Sequence, residues 1–346
     1  MSVDEPPYKN GVPVNVDDEF GLVEFEPGKY RGKKPLNKPA PIAIGSYGGN
    51  LCGQALLAAM KSSKPGFRPH SVHAYFVKPV SNKLPVDWHV EKISDGSNFC
   101  NRQVRGFQDG KLKYITLISL TRNNSNKKAQ QQYDEYQRQK KLKEEKGQED
   151  DDDDDNAPTK PFGFQTPYHD WFRKRPHELI KLDPRGVDIL CFHKLIPELL
   201  TLEGTEYEEK IPVTERKLSW YAKWGIEEGD MQFPLKGVDD QYQYFGLAVI
   251  SESLFMTRLC RSLRTPDVDI TAQANYWSVS LDHIIYFHDD DFDSTKWMGV
   301  TTNPIRLVNK RAVCEAEIYN DKGVHVATCF QEAITNINNL VDNAKL

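Results

Sequence analysis

The stretch SVSLDHIIYFH, residues 278–288, sets Ser280, Asp282 and His283 inside a run that is otherwise apolar and aromatic. Its content of Val, Ile, Tyr and Phe predicts a β-strand, along which side chains alternate between two faces. On strict alternation Val279, Leu281, His283, Ile285 and Phe287 point one way, while Ser280 and Asp282 share the opposite face. That second face is a candidate polar site. A strand with a hydroxyl and a carboxylate among buried neighbours needs a chemical reason, because burying such groups unpaired is costly.

Working outward, the same pattern occurs twice in the 346 residues. In the first half HSVHAYFVKP is followed by Trp88 in VDWHVEKI, then by Arg102 in NRQVRGFQDGKLKYITLISL. In the second half SLDHIIYFHDD is followed by Trp297 in TKWMGVTT, then by Arg311 in KRAVCEAEIYNDKGVHVATCFQEAIT. Tyr75 and Phe76 match Tyr286 and Phe287, Trp88 matches Trp297, Arg102 matches Arg311, and Gly110 matches Gly323, which favours duplication over chance. Each copy reads as four strands in an antiparallel meander, the last two joined by a turn (FQDGKL, YNDKGV). A helical stretch precedes each: GGNLCGQALLAAMKSS, rich in strong helix formers, and QYFGLAVISESLFMTRLC, apolar nearly all round. The expected class is α+β, with two repeats in which a central helix is wrapped by an antiparallel sheet.

Between the copies the composition changes. From Arg122 the text is rich in Asn, Lys and Gln and ends in an unbroken acidic run at residues 149–155, too polar to offset its ordering entropy by burial. It reads as a solvated linker with a helix over its Gln/Lys-rich part. The expected divisions are 1–122, 123–166, 167–341 and a tail at 342–346. The acidic run has neither the spaced ligands nor the turn glycine of a calcium loop.

Hydrophobic residues make up 38% and charged residues 27%, a globular balance, and the formal net charge of −5 offers no basic footprint for nucleic acid. Six cysteines lie scattered without a CxxC pair, and no window approaches the run of roughly 20 apolar residues that spans a bilayer. The final Ala344, Lys345 and Leu346 are a near variant of the peroxisomal address SKL, so an import receptor is an expected partner and the peroxisomal matrix the expected location. A GxSxG elbow, a paired-histidine zinc motif, a Walker loop and a dinucleotide fingerprint are all missing, and no metal or nucleotide cofactor is expected.

The motifs YGGNLCGQALLAA, HSVHAYFVKP, DGSNFCNRQV and QDGKL, with SLDHIIYFH and VATCFQEA in the second half, resemble those of the acyl-CoA thioesterase II family of bacteria and peroxisomes. The resemblance covers most of the chain, apart from the polar insert and a weakly matching stretch from about Pro167 to Asp240. It implies a double hot-dog fold, hydrolysis of fatty acyl-CoA to free fatty acid and CoA, and association of copies through the sheets.

The resemblance also implies a site. A helical carboxylate, a Ser or Thr on the LDH strand and a Gln of the last strand act together on water, which here fall on Glu252, Ser280 and Gln331. Glu252 departs from the family's Asp, so its extra methylene leaves three outcomes open: a re-spaced active site, a shifted substrate preference, or lost catalysis. Burial in the apolar helix is expected to raise its pKa toward that of a general base. Asp282 is expected to bond to backbone or position the site, and His283 to be a core histidine, since neighbours on a strand face apart. Gly48 and Gly49 either expose N–H groups to the acyl carbonyl or CoA, or form only a tight turn before the helix. The alternatives to hydrolysis are a non-catalytic acyl-CoA-binding protein on the same fold and an enoyl-CoA hydratase.

Overall fold

The computed structural model describes residues 6–146, 157–196, 206–253, 259–264 and 277–337. The acidic run and the Ala344-Lys345-Leu346 tripeptide lie outside the described residues. In chain order the elements that matter are β1 (Leu22–Glu26), β2 (Lys29–Gly32), helix α1 (Gly48–Lys61), β3 (Arg68–Phe76), β4 (Asp87–Asp95), β5 (Phe99–Gln108), β6 (Lys111–Thr121) and α2 (Asn126–Glu145). There follow β7 (Leu182–Asp183), β8 (Cys191–Lys194), β9 (Leu218–Trp224), α3 (Asp240–Glu252), β10 (Trp277–Ser280), β11 (Asp282–Phe287), β12 (Met298–Val308), β13 (Arg311–Tyr319) and β14 (His325–Asn336).

These strands make one 14-stranded antiparallel sheet in the order β1-β2-β4-β5-β6-β3-β11-β14-β13-β12-β9-β8-β7, with β10 on β14. In each half three consecutive strands form a meander, but the first of the four, β3 or β11, crosses to pair with the last instead of adjoining the second. The expected four-strand meander is thereby corrected. In the first half a connection holding Pro79 and Pro85 separates β3 from β4, where a tight hairpin would be needed to keep them adjacent.

The halves join through β3 and β11, where His73 lies opposite Ile284, Tyr75 opposite Asp282, and Ser71 opposite Tyr286. That register is symmetric about the His73–Ile284 pair. Following it outward sets Ile118 in correspondence with Gln331, Arg102 with Cys314, and Trp88 with Val300. The Tyr-Phe match read from the sequence agrees with this register; the Trp and Arg matches do not. Trp88 is buried with its indole N–H donated to Gln54, whereas Trp297 precedes β12 and donates to Glu228. Arg102 is buried over Ser62, Ser94 and Asp95, while Arg311 is exposed near Glu332. Like residues were recruited at unlike positions.

Helices α1 and α3 pack antiparallel against the sheet. A Cβ at Gly53 would lie 2.5 Å from the Phe245 ring, and one at Gly49 would lie 2.9 Å from the Ala248 carbonyl oxygen, so glycine sets how closely the helices approach. Tyr47, at the α1 N-cap, donates its hydroxyl to the Val249 carbonyl at 2.7 Å, worth about 1 kcal/mol. Asp239 caps α3 through the Gln241 and Tyr242 amides. The expected helix over the insert is α2, capped by Ser125 and carrying no buried residue. The α3 helix is shorter than its apolar run predicts and ends at Glu252.

Candidate active site

The end of α3, the start of the SLDH segment and the middle of β14 converge. Ser280 Oγ donates to Glu252 Oε1 at 3.2 Å, and Gln331 Nε2 donates to Ser280 Oγ at 2.6 Å and to Glu252 Oε1 at 3.3 Å. Three side chains drawn from separate segments therefore form one hydrogen-bonded triangle. Two acceptor atoms, Glu252 Oε2 and Gln331 Oε1, are shut off from solvent and complete no hydrogen bond with a protein group. Gln331 is buried at the strand position paired with Cys314, and its amide is assigned with Nε2 toward Glu252 because a carboxylate oxygen accepts from N–H and repels an amide oxygen.

Strict alternation fails here, and the failure builds the site. Ser280 pairs with Ala333 while Ile284 pairs with Phe330, so the β10–β11 side holds one extra residue between those rungs. This is a β-bulge at Leu281. It turns Ser280 toward α3, the same side as His283, which hydrogen-bonds Ser251 Oγ at 2.9 Å. The expectation that Ser280 and Asp282 share the face opposite His283 is corrected. Asp282 instead takes the Glu332 amide on its Oδ1 at 2.8 Å, while the Leu281 amide donates to the Glu332 carbonyl. Its carboxylate replaces a backbone acceptor lost at the bulge and braces the residue next to Gln331.

Burial pushes the Glu252 carboxyl up to about 7, against hydrogen bonds from Ser280 and Gln331 and the pull of the facing Gly49 amide, which hold it down. The group ends a helix whose C-terminal dipole disfavours its charge, opposite the N-terminus of α1, whose dipole favours it. Burial pushes His283 down to about 4, leaving it neutral at pH 7. Ser251 donates its hydroxyl to the Ala248 carbonyl, so His283 Nε2 carries the proton and donates to Ser251. His283 ties β11 to the residue before Glu252.

Gly48 and Gly49 open α1, and the sequence missed what Gly48 faces. A Cβ at Gly48 would lie 2.3 Å from Glu252 Oε1 and 2.4 Å from Oε2: the glycine is the floor on which the carboxylate rests. The longer Glu fits because the facing helix has no side chain there. A Gly-Gly pair opening a helix with no side-chain cap is the only trace of this contact in the sequence.

The chain matches two family profiles, the acyl-CoA thioesterase N-terminal domain over residues 36–122 and the acyl-CoA thioesterase C-terminal domain over residues 218–335. It is 24% identical over 303 residues to human acyl-coenzyme A thioesterase 8, covering 87% of this chain and 83% of that one. A Saccharomyces cerevisiae protein named peroxisomal acyl-coenzyme A thioester hydrolase 1 is 31% identical over 105 residues, 30% of each chain. Among solved structures, an acyl-CoA thioesterase II from Mycobacterium marinum superposes with a TM-score of 0.63 at 18% identity, covering 94% of this chain and 99% of that one. A hot-dog protein of unknown function from Alicyclobacillus acidocaldarius superposes with a TM-score of 0.56 at 12% identity, covering 92% and 97%. At these identities the structural likeness carries the fold: a double hot-dog.

Proposed function

The chain belongs to the acyl-CoA thioesterase II family, and from that premise we propose that it hydrolyses fatty acyl-CoA to fatty acid and CoA with Glu252, Ser280 and Gln331 acting directly on water. The observation that carries the reading is the pair of unfilled acceptors, Glu252 Oε2 and Gln331 Oε1, on one hydrogen-bonded triangle. A water molecule has two protons to donate. Donated to those two atoms, they leave its lone pair free for the thioester carbonyl carbon. Glu252 takes one proton as the C–O bond forms, the tetrahedral intermediate expels the CoA thiolate, and Glu252 returns the proton to sulfur. Ser280 and Gln331 hold the Glu252 carboxylate through Oε1, which keeps Oε2 aimed at the water.

A carboxyl pushed up to about 7 is matched to this task, since it is partly ionised at neutral pH yet basic enough to accept a proton. Release of free thiol from acyl-CoA by the purified protein tests the reaction. Activity surviving both Glu252→Gln and Gln331→Ala would refute the roles. A second reading, a binder without turnover, is motivated by Glu in place of the family's Asp; it predicts acyl-CoA binding with no thiol release. The space left by Gly48 favours turnover, because it seats the longer side chain without displacing the triangle. Peroxisomal location is supported by the yeast relative's name and by the Ala344-Lys345-Leu346 tripeptide; loss of punctate fluorescence on deleting Leu346 tests it.

A further inference from the structure

Helix α3 ends at Glu252 with no sequence signal to end it. Ser253, its C-cap, is already extended at φ −69° and ψ 121°, yet neither Gly nor Pro follows before Pro266. The last turn of a helix frays readily, because its final carbonyls lack partners within the helix. That makes a helix end a poor mount for a group whose position sets a rate. Here side chains from three other elements hold the turn. Tyr47, at the start of α1, donates to the Val249 carbonyl, and His283 of β11 donates to Ser251 Oγ. His193 of β8 bonds through Nε2 to Ser253 Oγ, and both residues are buried. In the sheet β14, β13, β12 and β9 stand between β11 and β8, so two distant strands pin the residues on either side of Glu252. Cys191 lies two residues before His193 with its Sγ 3.6 Å from Nε2, and burial pushes its thiol up to about 12, so the ring has no thiolate to activate.

We propose that His193 is a positioning residue for Glu252: its ring holds the Ser253 hydroxyl, which ends α3 at Glu252 and keeps the carboxylate over Gly48 and against Ser280 and Gln331. The inference rests on the reading of Glu252 as the base that activates water. Ser280 and Gln331 grip the carboxylate at Oε1, but neither holds the backbone from which it hangs. A fraying turn would lift the carboxylate off its glycine floor, and a displacement of about 1 Å costs up to roughly 10²-fold in rate. The titratable groups whose charge would act on Glu252 are Tyr47, Cys52 and Tyr114, all kept protonated by burial, and the adjoining His283 is neutral at pH 7. The carboxyl therefore titrates among neutral neighbours, and its midpoint reports how well the turn excludes water.

The test reads both the rate and the carboxyl. Ser253→Ala removes one buried hydroxyl and is expected to lower kcat, per folded molecule, by roughly 10- to 10²-fold with KM changed little. His193→Leu should do the same, and the double variant should be no slower than the slower single, because both changes break one bond. His193→Gln, which sets an amide near the place of Nε2, should recover most of the rate. Infrared titration of protein labelled with ¹³C-glutamate, each variant paired with its Glu252→Gln counterpart for subtraction, isolates the Glu252 carboxyl without turnover. Its midpoint near pH 7 should fall toward the ordinary carboxyl range in Ser253→Ala, because a loosened turn admits water. A Ser253→Ala kcat within about threefold of wild type, losses that multiply in the double variant, or an unmoved midpoint overturns the proposal. Wild-type protein that releases no thiol, with a midpoint still moved by Ser253→Ala, would refute the hydrolytic reading and leave the His193 brace standing.

Discussion

The two repeats share a fold and a symmetric junction, yet they differ where it matters. Where the C-terminal repeat has Ser280 and Gln331, the register of the N-terminal repeat sets Pro69 and Ile118. Pro offers no side-chain donor or acceptor, and Ile118 is buried in the core. The N-terminal repeat therefore cannot form the triangle. What it contributes is the glycine floor under Glu252 and the helix end beside it. Each half supplies a meander and a central helix to one sheet, and the polar triangle stands in the second half with the first as its wall.

The sharpest way to break this comparison is to strike each copy at its own critical residue. Glu252→Gln is expected to lower kcat by at least roughly 10³-fold, measured by thiol release, with Gln331→Ala somewhat less severe. Ile118→Ala, the corresponding change in the first copy, should cost about 2–4 kcal/mol in denaturant unfolding and leave kcat nearly intact. Equal loss of activity from both would show that the copies share the chemistry.

Next in size is the contact between copies. Gly48→Ala should lower kcat by about 10²-fold, because the new methyl occupies the space of the Glu252 carboxylate. Adding Glu252→Asp, which withdraws the carboxylate by one methylene, should recover part of that loss. Strict additivity of the two changes would mean that the floor and the carboxylate are uncoupled.

A pH series sharpens the electrostatic side. Rate should rise as Glu252 ionises around pH 7 and level off above it. Stability runs the other way. The folded-state pKa lies above the unfolded value, so the folded protein binds the extra proton and loses stability as pH climbs from the unfolded pKa near 4.5 through about 7. Glu252→Gln should then be more stable than wild type above pH 7, by up to about 3 kcal/mol, and no more stable near pH 4. A gain in stability independent of pH would contradict the buried-carboxylate account. The smallest expected effect is Pro69→Ser, which gives the first copy a hydroxyl without a matching Gln or Glu: no new activity, and stability changed within about 1 kcal/mol.

Much of this was legible in the sequence because the signals were local. Alternating apolar residues marked the long strands, an Ala/Leu run and an apolar run marked the helices, and the Tyr-Phe pairs marked the duplication. The candidate residues Glu252, Ser280 and Gln331 came from family motifs, each recognisable in a short window. The Trp and Arg matches misled because residue identity is a weaker guide to equivalence than hydrogen-bond register. Trp88 donates its indole N–H to Gln54 inside the first repeat, whereas Trp297 donates to Glu228 from a position before the strand.

The sequence by itself determined the periodicities, the polar residues of the SLDH strand and a helix opened by two glycines, since each depends on neighbours a few positions apart. The tertiary structure alone decided that Leu281 bulges, that Ser280 turns toward α3, and that Gly48 lies beneath a carboxylate roughly two hundred residues away. Those features depend on how strands register and helices approach across the whole fold, and no local pattern encodes a distance between segments so far apart in the chain.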